Sequence, residues 1–451
     1  MPRKILLLII LILTAQNLTA QIDTTYRDAA NRIIEAALAD SFAYGQLAEI
    51  VDTFGPRFSG SKALEDAIDW VLAQMTADSL ENVHGEEVMI PRWVRGEESA
   101  EILVPRSQTL GFIGLGRSVG TPRKGLVAEA MVVNSFEDLQ SHADEARGKI
   151  VVYNVPFTNY METVAYRGKG ANEAAKVGAV ASLVRSVTPH AMAVPHTGAL
   201  RYEDGVKRIP SGAITIEDAL LLQRYQDRGE EIVLRLRMAA HFQSDVPSRN
   251  VVAELTGSET PEEVVVMGGH IDSWDVGQGA MDDAGGCVAA WEALRVLKRL
   301  GLRPRRTIRV VLWTNEEIGL KGGRAYRDAH ADELDNHVLA IETDSGVFKP
   351  EGFGFQGTPE SLAILQEIAA LLVPIEADSI SAGHGGADIS PLIKEGVPGM
   401  GLRVDGEKYF WYHHTAADTF DKLDPDELNR CVAALAVMAY VVADMPDRLP
   451  R

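Results

Sequence analysis

Apolar and polar positions along the chain follow two periods, and the switches between them predict the elements. From Ala29 to about Asp78 apolar residues recur at helical spacing, broken at TFGPRFSGS (53–61), where Gly, Pro and Ser force a loop. A helix is predicted after it, over KALEDAIDWVLAQM. Residues up to about 105 alternate as a strand does, for example in GEEVMIPRW. Between 107 and 240 short apolar runs (KGLVAEAMVV, GKIVVYNV, RIPSGAITI) are separated by turn residues, with one clear helix in NEAAKVGAVASLV. This stretch reads as a small β-rich module inserted into a larger domain. Beyond it, SRNVVAEL, EEVVVMGGH, TIRVVLWTNEE and NHVLAIETDSG alternate with helical GGCVAAWEALRVLKRL and GGRAYRDAHAD. Strand and helix in turn predict an α/β fold, a mostly parallel or mixed sheet with helices on both faces. The predicted division is 1–20, 21–106, the insert 107–240, and 241–451.

The first segment is set apart by its own pattern. Arg3 and Lys4 precede an apolar run from Ile5 to Leu13, with small residues at Thr19 and Ala20. That is the pattern of a signal peptide over 1–20, too short an apolar run for the roughly 20 residues that span a bilayer. A secreted or periplasmic protein is therefore expected, with no membrane attachment after cleavage. Cleavage removes two bases and no acid, taking the formal charge from −20 to −22. Such an acidic surface argues against nucleic acid or anionic lipid as a partner. The only cysteines, Cys287 and Cys431, could form one bridge, but the apolar setting of Cys287 favours a buried free thiol.

Candidate chemistry gathers at predicted strand ends, where α/β sheets bind their ligands. The strand Val264–Met267 runs into GGHIDSWDVGQGAMDDAGG, and the next strands end in Asn315-Glu316-Glu317 and Glu342-Thr343-Asp344. His270 and Asp272 share one side of an extended backbone, so the Asp272 carboxylate is expected to accept from the imidazole and free its other nitrogen for a metal. Glycines 277, 279, 285 and 286 let the loop bearing Asp282 pack closely. Glu316 and Glu317 are adjacent and aim differently, so one can bind metal while the other handles protons. A late loop, YHHTAADTFD, adds His413 and His414. His270, Asp282, Glu317, Asp344 and His414 supply two imidazoles and three carboxylates, suited to two zinc ions sharing Asp282, with a position left for water. Glu316 would take that water's proton.

These motifs together resemble one family. His270-x-Asp272, DDAGG (282–286), NEEIGLKGG (315–323), ETDSG (342–346) and HHTAADT (413–419) are similar, in order and spacing, to those of the co-catalytic zinc exopeptidases of the aminopeptidase and glutamate carboxypeptidase superfamily. GPRFSGSKALEDAIDWV (55–71) resembles the family's amino-terminal segment, and the insert a protease-associated domain. Within that superfamily the insert, HIDSWDVGQGAMDDAGG and YFWYHHT resemble the plasma glutamate carboxypeptidase branch. The resemblance implies two zinc ions per chain, one held by His270, Asp282 and Asp344, the other by Asp282, Glu317 and His414. It implies Glu316 as acid/base and small peptides, dipeptides among them, as substrates, and allows a homodimer. Some relatives carry Tyr, an oxyanion stabiliser, where this chain has His413.

Each residue also has a bland reading. Asp283 either orients the site or caps the helix near Gly285; His384 reads equally as a substrate contact or a turn histidine; Asp388 reads as a helix cap. Trp274, Tyr409, Phe410 and Trp411 suit a pocket wall or plain packing. Two other functions compete. An aminoacylase-type dizinc amidohydrolase carries its extra domain between the last two ligands, whereas this insert precedes the first. An inactive receptor on the same scaffold should have lost ligands or the base, and none is lost here. Asp275, Lys321, Arg324 and Arg403 are candidates for gripping a peptide terminus.

Overall fold

The computed structural model describes Ile22 and residues 24–451; the expected signal peptide lies outside the described residues. Two eight-stranded sheets organise the chain. The strands of the first are, in chain order, β1 (Glu81–Val94), β2 (His241–Leu255), β3 (Thr260–His270), β4 (Arg306–Trp313), β5 (His337–Glu342), β6 (Pro350–Gln356), β7 (Ser379–Ala382) and β8 (Gly399–Val404). Their spatial order is β1-β2-β4-β3-β5-β8-β6-β7. The four central strands β4, β3, β5 and β8 are parallel, flanked by antiparallel pairings.

Alternation along the strands decides the two faces. In β3, Val265 and Met267 join a core with the helices Phe42–Phe54, Lys62–Ala77, Gly285–Arg299 and Pro425–Asp444, while Val264 and Val266 meet Tyr326, Ile389 and Leu392 on the other side. The mixed sheet with helices on both faces is as expected. Ser61 caps the second of those helices, its hydroxyl accepting from Leu64 N at 3.1 Å. Register brings the parallel strands to one end: His270 pairs with Trp313 and Gly268 with Glu342. Each predicted polar cluster thus begins at the same rim.

The second sheet is built from strands lying between 98 and 238. Glu98–Val104, expected with the segment before 106, pairs in this sheet with Val233–Met238. The reason is a continuous ribbon: Val94 pairs with His241 in the first sheet and Glu98 with Met238 in the second. A bend at Gly96, with φ of +67°, separates the two ladders. Periodicity reports a strand but not which sheet it joins. The segment also holds more helix than expected, Tyr160–Lys176 and Ile216–Asp227 being the longer pieces. Thr215 starts the latter by accepting from Asp218 N at 3.1 Å. Cys287 and Cys431 are buried free thiols, and no helix among the described residues is long and apolar enough to cross a membrane.

Candidate dimetal site

Asp282 is the centre of the site and divides its oxygens. Oδ1 lies 3.1 Å from His270 Nε2, and Oδ2 lies 3.4 Å from His414 Nε2. Each imidazole has a second carboxylate: Asp344 Oδ1 is 3.4 Å from His270 Nε2, and Glu317 Oε2 is 3.2 Å from His414 Nε2. All five groups arrive from the strand ends or the loops after them, and His270, Asp282, Glu317 and His414 are buried. His270 Nε2, Asp282 Oδ2 and Glu317 Oε1 are buried without a hydrogen-bond partner among the described residues. Ligand atoms of His270, Asp282 and Asp344 fall within 4.8 Å of one another, as do those of Asp282, His413 and His414. Unpartnered imidazole and carboxylate atoms facing a common point fit a cation on each side of Asp282.

The electrostatics agree. Burial, with the carboxylates of Asp344, Asp272 and Asp282 around it, pushes the Glu316 carboxyl well above its usual range. Burial and Asp282 do the same to Glu317. Burial works against charge on His270, but Asp282 and Asp344 override it and raise the imidazole well above 6.5. Carboxylates packed this closely need positive charge between them.

Asp272 is used differently from expectation. His270 Nδ1 donates to the Asp272 main-chain carbonyl at 2.8 Å, leaving the carboxylate 3.9 Å away. That carboxylate instead accepts from Ser59 Oγ at 2.7 Å and from Glu316 N at 3.0 Å, so it holds the backbone of the two glutamates. Asp283 does both jobs left open for it: Oδ2 accepts from His270 N at 3.0 Å and Oδ1 from Gly286 N at 3.1 Å, in the first turn of the helix. Gly269 makes room, since a Cβ there would stand 2.1 Å from Asp283 Oδ2. His413 lies flat on His414, ring centroids 3.6 Å apart, its Nε2 4.0 Å from Asp282 Oδ2. Asp388 caps nothing: Ile389 precedes the helix Ser390–Lys394, and both Asp388 oxygens are buried without partners among the described residues. Trp274 does wall the site, its ring 5.3 Å from that of His414, while His384 is exposed.

The model of peptidase family M28 matches residues 250–439. Carboxypeptidase Q of Pongo abelii is 50% identical over 95% of this chain and 91% of its own length. The chain belongs to peptidase family M28. That membership makes it a metallo-exopeptidase. A crystal structure of a peptidase M28 precursor from Shewanella amazonensis SB2B matches with a TM-score of 0.92 at 34% identity, over 95% of this chain and 99% of that one. BSAP, described as a zinc aminopeptidase from Bacillus subtilis, shares the fold with a TM-score of 0.69 at 20% identity, over 89% and 94% of the two chains.

Several residues of this M28 peptidase carry no signal of their own in the sequence. Arg57, fully buried, donates to the carbonyls of Ile271 (2.9 Å), Gly55 (3.0 Å), Gln278 (2.8 Å) and Gly279 (2.8 Å), tying down the loop that leads to Asp282. Asp418 accepts from the amides of Ala280, Met281 and Asp282. Both sit inside segments that match the family pattern, GPRFSG and HHTAADT, which is the cue that could have found them. The helix Tyr160–Lys176 of the inserted segment brings Arg167 to 3.3 Å from His414 Nδ1. Next to Glu316 and Glu317 opens a cleft of about 520 Å³ whose walls include Arg117, Lys169, Arg201 and Arg324. Of the terminus-gripping candidates only Arg324 lines it; Asp275 is instead held by Arg95 at 2.6 Å.

Proposed function

We propose that the protein is a secreted exopeptidase that hydrolyses small peptides, dipeptides above all, at two zinc ions. The observation that carries this reading is the division of Asp282 between His270 Nε2 (3.1 Å) and His414 Nε2 (3.4 Å), each backed by its own carboxylate. His270, Asp282 and Asp344 would hold one ion, and Asp282, Glu317 and His414 the other. Bound zinc supplies an acidified water and polarises the scissile carbonyl. Glu316 takes the proton from the attacking water and delivers it to the leaving amine. Its place beside Glu317 at the end of β4, among the groups gathered around Asp282, supports that role. Asp272 holds Glu316 by its main chain, so that the base keeps one position.

The inserted segment, which we bound at about 97–240 from its ladder, forms one wall of the cleft. Arg117, Lys169, Arg201 and Arg324 make no salt bridge among those recorded for the described residues, and these four bases, in a cleft that Glu203, Glu316 and Glu317 also line, support entry of a peptide by its carboxylate end. The name of the carboxypeptidase Q relatives agrees with that direction. The test is metal content of the purified protein together with hydrolysis of free, N-blocked and C-amidated dipeptides. Two zinc per chain, cleavage that needs a free carboxylate, and loss of at least about 1,000-fold in kcat for Glu316→Gln are expected. Metal without turnover on any peptide would sink the reading in favour of a binding protein.

A further inference from the structure

The exopeptidase reading leaves one task without a group, the neutralisation of charge that develops on the scissile carbonyl oxygen. His413 stands at the chain position for it, but its ring is sandwiched between His414, centroids 3.6 Å apart and planes 24° apart, and Tyr409, at 4.9 Å and 29°. A ring stacked on both faces is held in place and cannot turn out toward a substrate.

Tyr160 approaches the same point from the inserted segment. Its ring meets the edge of His413 at 5.5 Å and 85°, and Nε2 of that imidazole lies 4.0 Å from Asp282 Oδ2. Arg167, two turns along the same helix, donates from Nη2 to the Tyr160 hydroxyl at 2.7 Å. The Arg167 side chain is buried, only 6% exposed, and its Nη1 reaches the carbonyl of Thr197 at 3.3 Å. That carbonyl also faces His414 Nδ1 at 3.4 Å. His414 Nε2 points at Asp282 and Glu317, and its Nδ1 lies between the Thr197 carbonyl and Arg167 Nη1, which is 3.3 Å away. In the other direction Thr197 N donates to the His414 carbonyl at 3.0 Å. The inserted segment therefore grips His414 and carries Tyr160 on the same rigid unit.

A hydroxyl whose lone pair is occupied by a guanidinium keeps its hydrogen to donate, and the cation behind it strengthens the donation. No acceptor for that hydrogen is recorded among the described residues. We propose that the Tyr160 hydroxyl donates a hydrogen bond to the scissile carbonyl oxygen as it turns negative, with Arg167 as the positioning residue. The proton stays on Tyr160 throughout, so the step makes and breaks no covalent bond. The active site is then incomplete without the inserted segment, which this reading makes a catalytic part rather than a cover. The inference rests on the exopeptidase reading above.

The test compares wild type, Tyr160→Phe, Arg167→Lys and Arg167→Met for kcat, KM, zinc content and inhibition by a phosphinic dipeptide analogue, whose tetrahedral centre mimics the charged oxygen. Removing one such donor costs about 100- to 1,000-fold in kcat. Tyr160→Phe should show that loss with KM within about threefold and zinc unchanged, and the analogue's Ki should rise by a similar factor. Arg167→Met should follow it, and Arg167→Lys should recover part of the loss. A Tyr160→Phe variant with kcat within threefold of wild type overturns the proposal, as does one that changes only KM, or one that loses zinc in proportion to activity. If Glu316→Gln is inactive while Tyr160→Phe turns over normally, this inference fails alone; a wild type inert on every peptide brings down both.

Discussion

The shared carboxylate is positioned by Asp418, and D418N isolates that contact. Oδ1 of Asp418 accepts from Ala280 N at 3.1 Å and Met281 N at 2.7 Å, and Oδ2 accepts from Asp282 N at 3.2 Å. Burial pushes this carboxyl up to about 7. In D418N one oxygen remains and can serve the first two amides, but the new NH2 group faces Asp282 N–H, donor against donor. One buried N–H is left without an acceptor, at about 1–3 kcal/mol. The loop can escape that cost only by moving the residue whose two oxygens must meet two ligand sets. The penalty therefore surfaces in metal binding, where losing the partner of a ligand weakens affinity by about 10–100-fold, or about 1.4–2.7 kcal/mol. Zinc is stripped with a chelator, then titrated back against a competing chelator while dipeptide hydrolysis is followed. The expected result is a zinc Kd raised about 10–100-fold with kcat at saturating zinc within about tenfold of wild type. A D418N enzyme with an unchanged zinc Kd would refute the argument that this carboxyl positions Asp282.

Two further outcomes are expected. In Gly116→Ala the added Cβ would stand 2.3 Å from the indole of Trp274, whose ring lies 5.3 Å from that of His414; kcat/KM should fall about tenfold or more through the displaced wall, and unchanged kinetics would mean that Trp274 is mere packing. His337 is fully buried, with Nε2 at 2.9 Å from the Tyr326 hydroxyl, and burial lowers its pKa to about 4. Between about 4 and 6.5 the unfolded chain then binds the proton that the folded one refuses, so stability is complete above about 6.5 and falls as the pH drops toward 4, by about 3 kcal/mol in all. Thermal unfolding followed from pH 7 to 4 should show a shallower acid decline in His337→Gln than in wild type; parallel curves would assign the decline to other groups.

What the sequence discloses depends on whether a role is local. The gathering of His270, Asp344, Glu317 and His414 around Asp282 was legible because strand ends in a parallel sheet must converge, and because a buried acid cluster has few uses other than holding a cation. Arg57 was not legible: its four acceptors are main-chain carbonyls, which leave no trace in a side-chain pattern. Asp272 lies two residues beyond the end of its strand, and there the shorter reach of its own carbonyl captured the imidazole and released the carboxylate for Ser59 and Glu316.

The boundary of the inserted segment and its part in the site escaped for one shared reason. Strand periodicity is the same in either sheet, so only the ladder shows that Glu98–Val104 leaves the first sheet and that Val233–Met238 returns beside it. A ribbon continuous across both sheets fixes the second against the first. That fixed geometry is what lets a helix starting at Tyr160 meet the loop that carries His414, 254 positions later by their numbers, within hydrogen-bond reach through Arg167 and Thr197. Separation in sequence hides such a contact from any local pattern, while the ribbon makes it rigid enough to serve as part of one site.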